Sequence, residues 1–352
     1  MSFDLQRLGW SPFFAEPFQQ YELDGLIPGR VAVQERGSYL VYTEEGERWA
    51  EITGRLRHDS ASPADFPAVG DWVALSDRIH AVLPRRTKFS RKVAFLKTEE
   101  QVLAANVDVV FLVMALTERD FNPRRLERYL ATAWESGAEP VVVLSKADLC
   151  DDVPGLLAEA EGVAYGVPVH VTSAVTGDGL EDLRASFSGD RTAALLGSSG
   201  VGKSTLINAF LGSEVLRTNE IRADGRGRHT TTHRELVSLP EGGLLLDTPG
   251  MRELQLWESS DGLSETFGDV EDIAAQCRFT DCAHQTEPGC AVQAALNDGT
   301  LASERWASYN KLQRELAHLE RRLDKRLQAE AKRRWIKAGA EGRANMRAKG
   351  RR

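Results

Sequence analysis

Two hydrophobic rhythms divide the chain. Up to about residue 95 the apolar positions come in short runs separated by turns. Arg30 to Thr43 alternates around Gly37-Ser38, Arg48 to Ile52 follows a Glu-Gly turn, Asp71 to Leu75 follows Val69-Gly70, and Arg78 to Leu83 completes the set. Short strands with Gly and Pro turns predict a small β-barrel, by its size either of the oligonucleotide-binding or of the SH3-like kind. Residues 1–25 form an aromatic-rich lead-in without strong periodicity. From Gln101 strands alternate with helices. Val107 to Ala115 is a continuous buried-strand run, a helix starts at Pro123 after Asn122 and reaches Ser136-Gly137, Val141 to Leu144 and Val167 to Val171 are strands, and Leu180 to Phe187 is a helix. This alternation predicts a parallel sheet with both faces covered. After Trp257 no strand pattern remains, and Ser303 to Lys337 has the composition of a long helix or helical pair. The expected architecture is multidomain α/β: a lead-in and OB-like barrel over 1–95, an α/β domain over 96–256, and a helical domain with a basic tail over 257–352.

The stretch that gives the α/β part its chemistry is Gly197-Ser198-Ser199-Gly200-Val201-Gly202-Lys203-Ser204, followed by Thr205. It has the GxxxxGKS form of a phosphate-binding loop, after the apolar strand Thr192 to Leu196 and before an amphipathic helix from Ser204 to Leu211 that Gly212 ends. Glycines let the backbone wrap phosphates, and the amides with the helix N-terminus supply positive potential. Lys203 is placed to reach the β- and γ-phosphates, and the Ser204 hydroxyl to sit on Mg²⁺. Further pieces fit a guanine-nucleotide site. Asp247-Thr248-Pro249-Gly250 follows the strand Gly243 to Leu246, so Asp247 can hold Mg²⁺ through water and the Gly250 amide can meet the γ-phosphate. The segment Gly225 to Thr232, which includes His229 and Thr231, has the glycines and hydroxyls a first switch needs. Ser145-Lys146-Ala147-Asp148 follows a strand and resembles the Asn-Lys-x-Asp motif, whose aspartate accepts hydrogen bonds that guanine offers and adenine does not. Ser173-Ala174 resembles the segment that closes over the base. In an ordinary GTPase the phosphate loop precedes the base motifs; here it follows them, so the domain reads as a circular permutation. The chain therefore leaves the second switch directly into its C-terminal part.

Cys277, Cys282, His284 and Cys290 place three thiols and one imidazole within fourteen residues, a closed donor set for one structural Zn²⁺. Cys150 lies apart and reads as a bystander thiol. Four cysteines in 352 residues do not make a disulfide scaffold, Met1 to Arg7 shows no basic-then-apolar leader, and the longest apolar run, Val109 to Leu116, is too short to span a bilayer. A cytoplasmic protein with no membrane association is expected. Its net charge of −8 is unevenly spread: Arg305 to Arg352 holds 16 Lys/Arg and 5 Asp/Glu, a balance of +11, which leaves −19 on the rest. An acidic body with a basic end is suited to one-sided contact with a polyanion. Arg85, Arg86, Lys88, Arg91 and Lys92 form a second basic cluster, read equally as a nucleic-acid contact or as a solvated loop.

A barrel, a permuted GTPase and a Cys3His cluster, in that order, resemble the ribosome small-subunit-dependent GTPase A (RsgA) family. The resemblance rests on Ser145 to Asp148, Gly197 to Thr205, His229 to Thr232, Asp247 to Gly250 and the four metal-type residues. It implies an oligonucleotide-binding barrel, GTP and GDP as nucleotides, slow hydrolysis stimulated by the small ribosomal subunit, binding to its rRNA, and a role in late maturation of that subunit. A monomer is expected. The sequence departs from the family at Ser145, where Asn is usual, while Asp148 remains to select guanine. Met251 stands where many GTPases carry a water-orienting Gln, and the resemblance gives that role to His229. The competing expectation is a regulatory GTP-binding switch with little turnover.

Overall fold

The structure is a computed structural model that describes residues 2–35, 37–92, 100–117, 121–212, 235–247 and 261–317. The chain divides into two compact units, residues 1–256 with 261–269 and residues 257–260 with 270–352. The lead-in is more ordered than its sequence rhythm suggests. Ser11 and Pro12 start a helix, α1 (Pro12–Glu22), which buries Phe14 and Phe18. Five strands follow: β1 (Ile27–Gln34), β2 (Ser38–Thr43), β3 (Gly46–Ile52), β4 (Trp72–Leu75) and β5 (Arg78–Val82), with the short α2 (Gly54–Asp59) between β3 and β4. Their order is β1-β2-β3-β5-β4, and β4 pairs back onto β1, so the barrel closes without a free edge. β3 and β5 run parallel and every other pair is antiparallel. This is the OB-like alternative of the two that the sequence leaves open. Val31, Val41, Ala50, Ile52, Val73, Leu75 and Ile79 fill its interior. The lead-in seals one side by aromatic packing, with Trp10 and Phe14 against Trp72 at centroid distances of 4.7 and 5.8 Å.

A hairpin of β6 (Lys88–Lys92) and β7 (Glu100–Ala105) leads into the α/β part. That part contains β8 (Val109–Ala115), α3 (Pro123–Ser136), β9 (Glu139–Ser145), α4 (Val153–Val163), β10 (Val169–Val171), α5 (Leu180–Ala185), β11 (Thr192–Leu196), α6 (Lys203–Leu211), β12 (Glu235–Ser238) and β13 (Leu244–Asp247). The sheet order is β10-β9-β8-β11-β13-β12, parallel except for β12. The continuous apolar run of β8 has a simple cause. Val110, Leu112 and Met114 face the cluster that includes Leu126 and Leu130 of α3, while Phe111 and Val113 face Leu183, Leu206 and Phe210. Both faces of the strand are therefore dry. The sheet order also shows the permutation: β8 to β10 come first in the chain and lie on one side of β11, with β13 and β12 on the other. β12 meets β1 at the pair Val33 and Glu235, so barrel and sheet form one eleven-stranded ladder.

Buried cations fasten this junction. Arg30, only 2 % exposed, donates to the carbonyls of Gly70 (3.3 Å), Asn106 (2.9 Å) and Leu8. Burial pulls its pKa down to about 10, so it stays protonated at neutral pH. Gly70, at φ +91°, is required here, because a Cβ would lie 2.1 Å from the Ala105 carbonyl oxygen. The basic cluster at the end of the barrel is largely paired with neighbouring acids, and of these pairs only that of Arg85 is buried. Arg85 holds the fully buried Asp71 through Nε–Oδ1 and Nη2–Oδ2 contacts of 2.8 and 2.7 Å, Arg86 pairs with Asp108 and lies over Phe13 and Phe14, Lys88 pairs with Glu100, and Arg91 donates to Gln101. Both readings of this cluster therefore stand: Arg85 is taken up by Asp71, whereas Arg86 and Lys88 keep 44 % and 50 % of their side chains exposed despite their ion pairs; the Lys92 side chain lies outside the described residues.

The first unit ends with α7 (Asp261–Thr266), which packs closely on α3: a Cβ on Gly262 would stand 2.3 Å from the Ala131 carbonyl oxygen. The chain crosses into the second unit through α8 (Gly268–Ala274). The second unit contains α9 (Ala291–Asp298) and a helix over 303–317, and no strand among the described residues. Arg305 is buried there. The basic residues after 317 lie outside the described residues.

Candidate nucleotide site and metal cluster

Because β8, β9, β10, β11 and β13 are parallel, the segments after them emerge on one edge of the sheet. In open α/β sheets that carboxyl edge, where the chain order switches, is the place for ligands. The switch point here lies between β8 and β11. Gly197 leaves β11 so close to β8 that a Cβ would lie 2.4 Å from the Val113 carbonyl oxygen. Gly200 and Gly202 have φ of +83° and +95°, and Gly202 caps α6. The loop thus turns back on itself and delivers its amides to the first turn of a helix, the geometry that binds phosphate. Lys203 Nζ donates to the carbonyls of Gly197 (2.7 Å) and Ser198 (2.6 Å), which fixes its ammonium over the loop. Ser199, Gly200 and Ser204 are exposed, Thr205 is half-buried, and Val201 is anchored in the core below.

The base motifs converge on the same edge. Lys146 adopts a left-handed conformation (φ +61°) and starts the single helical turn Ala147–Leu149. The Ala147 amide donates to Thr172 O, which binds the end of β9 to the end of β10. Ser173, buried, donates its hydroxyl to Asp148 Oδ1 at 2.5 Å and accepts from the amides of Val175 and Thr176. Asp148 is itself exposed, and Ala174, next to Ser173 in the chain, is half-buried. Cys150 is half-buried just after this turn.

Ser145 has a function that the sequence alone does not reveal. Its side chain is buried, and Oγ donates to the Val201 carbonyl at 2.6 Å, with the Met114 carbonyl 3.3 Å away. The residue that departs from the usual Asn therefore still supplies a donor, and it ties the base motif directly to the phosphate loop. Two residues that sequence reasoning missed also touch the loop: Arg125 and Tyr129 of α3, both on Ser198 Oγ. No motif marks them, since they are ordinary helix-face residues until the fold brings α3 alongside. Of the other residues that the sequence motifs point to, Asp247 ends β13, which pairs with β11, but its side chain lies outside the described residues. His229, Thr231, Gly250 and Met251 also lie outside them.

In the second unit Cys277, Cys282, His284 and Cys290 come together, with their ligand atoms all within 4.8 Å of one another. Cys277 Sγ is 3.5 Å from His284 Nδ1 and 3.9 Å from Cys290 Sγ, and Cys290 Sγ is 3.6 Å from the same nitrogen. A tetrahedral zinc ion with Zn–S of about 2.3 Å and Zn–N of about 2.0 Å sets ligand separations of about 3.5 to 3.8 Å, so the donor set fits that ion. The thiols alone are electrostatically frustrated. Desolvation opposes ionisation of Cys277, but hydrogen bonds from the amides of Val292 and Ala291 and from the neighbouring thiols bring it below the ordinary thiol range. Desolvation, then Cys290 and Cys277, push Cys282 up to about 11 against an opposing bond from the His284 amide. A cation bound among these sulfurs would favour the thiolate form of each. The surrounding shell is built for the ligands: Gln293 Nε2 donates to His284 O, and Cys290 Sγ accepts from the Gln293 amide at the start of α9. Glu287 accepts from the amides of Gln285, Thr286 and Ala283 and holds the turn in which His284 takes φ +57°; these bonds keep its carboxyl below the usual range.

Comparison with known proteins agrees with this geometry. The profile of the family described as RsgA GTPase matches residues 82–257, and that of a family described as 50S ribosome-binding GTPase matches residues 192–325. The chain is 50 % identical over 364 residues to a small ribosomal subunit biogenesis GTPase RsgA from Opitutus terrae, covering 99 % of each chain. It resembles the crystal structure of YjeQ from Thermotoga maritima with a TM-score of 0.63 at 29 % identity, over 83 % of this chain and 99 % of that one. It also shares the fold of YloQ, a circularly permuted GTPase, with a TM-score of 0.61 at 24 % identity, over 83 % and 96 % of the two chains. The chain belongs to the RsgA GTPase family.

Proposed function

We propose that this GTPase binds GTP and GDP across the edge described above, hydrolyses GTP to GDP and phosphate, and acts in biogenesis of the small ribosomal subunit, by which its turnover is stimulated. The reading rests above all on the direct wiring of three segments. Ser173 and Asp148 are joined at the base end, and Ser145 joins that end to Val201 of the phosphate loop. A guanine nucleotide long enough to lie between Asp148 and Lys203 meets a site whose two ends are already in register. The family membership and the relative's role in small-subunit biogenesis support the partner.

In this reading the backbone amides of Gly197 to Thr205 and Lys203 hold the phosphates. The Ser204 hydroxyl, exposed at the first turn of α6, fits one position of a Mg²⁺ shell, and Asp247 is assigned a second through water. Mg²⁺, when bound, would supply positive charge to offset the charge that develops on the phosphates. His229 is assigned the orienting of the attacking water, and Thr231 and Gly250 the γ-phosphate side. The four metal-type residues hold one structural Zn²⁺. Residues 1–95, 96–256 and 257–352 are assigned as barrel, permuted GTPase domain and zinc domain, with rRNA as the contact of the barrel and of the basic C-terminal segment. The protein is read as a cytoplasmic monomer; no helix among the described residues is long and apolar enough to cross a membrane.

Nucleotide selectivity tests the site. The wild type is expected to bind GDP and GTP and to ignore ATP, because only guanine offers the donor pair that Asp148 accepts. Asp148→Asn should move the preference to xanthosine nucleotides, since an amide complements a carbonyl where the carboxylate complements an amine. Equal titration of ATP and GTP with the wild type would exclude the assignment.

A further inference from the structure

The N-terminal half of α3 ends on the phosphate loop. Arg125 Nη1 donates to Ser198 Oγ at 3.0 Å, and the Tyr129 hydroxyl lies 3.3 Å from the same oxygen. The two residues are four apart, so both leave one face of the helix. Ser198 is also held from the other side, because its carbonyl accepts from Lys203 Nζ. A hydroxyl oxygen has two lone pairs and can accept from both α3 donors at once. The helix that carries them is itself firmly placed. Asn122 caps it by accepting from the Arg125 amide at 3.2 Å, Leu126 and Leu130 are buried beneath it, and α7 lies against its C-terminal half at Ala131 and Glu135.

We propose that Arg125 and Tyr129 are positioning residues for the phosphate loop, acting through Ser198 to hold it in the curvature that makes its amides converge on a phosphate. The proposal rests on the reading that this loop binds GTP and GDP. The loop contains Gly197, Gly200 and Gly202, and glycines cost more conformational entropy to order than any other residue. If that ordering happened at each binding event it would be subtracted from affinity; a loop ordered beforehand avoids the subtraction. Gly197 fixes where the loop leaves β11, and the Ser145 bond fixes Val201 at its far side. Ser198 lies between these two points. Its three contacts, one to the carbonyl and two to the hydroxyl, fix the direction of the intervening chain.

The test uses the full chain and a fluorescent GDP analogue in Mg²⁺ buffer, with GTP turnover measured in parallel. Arg125→Ala should weaken GDP binding about tenfold, the effect of losing one charge-assisted hydrogen bond of about 1.4 kcal/mol, and Ser198→Ala, which also loses the Tyr129 contact, by a few-fold more. The double variant should be little worse than Ser198→Ala alone, because Ser198→Ala already removes the Arg125 contact. Arg125→Lys keeps a donor and should recover most of the loss. Tyr129→Phe removes one hydroxyl and leaves the ring packing, so it should fold as the wild type does and weaken binding by a few-fold. A wild type that fails to bind GDP overturns the nucleotide-site reading and this proposal together. A wild type that binds GDP, with Arg125→Ala and Ser198→Ala either unchanged or additive in their effects, overturns the positioning role alone.

Discussion

Ser145→Ala removes a single oxygen from the centre of the site, and its consequences follow from the contacts of that oxygen. Ser145 is 3 % exposed, and Oγ donates to Val201 O at 2.6 Å. Without it a buried loop carbonyl loses its donor, a change that costs about 1–3 kcal/mol. For a unit of this size that loss lowers the melting temperature by about 2–12 °C. Stability alone would not distinguish Ser145 from other buried serines, so nucleotide affinity is the sharper readout. Ser145 ends β9, which presents Asp148, and it grips the loop that presents Lys203. A nucleotide held at both ends reads their relative position, so loosening the tie should weaken GDP binding about tenfold, or ~1.4 kcal/mol. Isothermal titration with GDP and calorimetric melting of the free protein measure the two quantities separately. A melting temperature and a GDP affinity both equal to those of the wild type would refute the argument that this hydroxyl links the base motif to the phosphate loop.

Arg85→Ala should be severely destabilising, by about 3–5 kcal/mol, because it strands the buried Asp71 carboxylate without its cation. Burial already pushes the Asp71 pKa up. In the variant the folded-state value rises further above that of the unfolded chain, so stability should fall as pH rises and the deficit should shrink towards pH ~4; urea melts at several pH values would show it, and a pH-independent deficit would contradict it. Cys282→Ser should lower zinc content and melt the second unit first, since metal binding of this type is coupled to folding; elemental analysis with circular dichroism decides, and an intact metal-free fold would remove the structural assignment. Gly197→Ala should weaken nucleotide binding and destabilise by about 1–3 kcal/mol, because its Cβ has no room beside the Val113 carbonyl; binding unchanged in a GDP titration would count against the close approach.

The elements that sequence reasoning read well are those whose burial is written into their own residues. Thr192 to Leu196 is dry on both faces and bounded by glycine, and the structure has β11 over those residues. Asn122, Pro123 and Gly137 mark the ends of α3, and the helix begins and ends there. Partners are written less plainly. Nothing in Val33 or Glu235 announces that they pair across two hundred residues to join barrel and sheet. Arg30 looks like a surface strand residue, since its burial is made possible by carbonyls of Leu8, Gly70 and Asn106 that only the folded chain assembles. The basic residues near Arg85 read as one patch because charge counts do not include the acids that meet them. In the site, the motif residues were legible as types, but Ser145, Arg125 and Tyr129 act through contacts between segments 56 to 73 residues apart, which no local pattern records.

A GTPase that works with the small ribosomal subunit should reveal itself in one comparison: GTP turnover by the purified chain alone, with small subunits and with large subunits. Slow hydrolysis that rises steeply with small subunits only, and that vanishes in Lys203→Ala, is the expected result. GTP binding with turnover indifferent to small subunits would contradict that function and leave a nucleotide-dependent switch in its place.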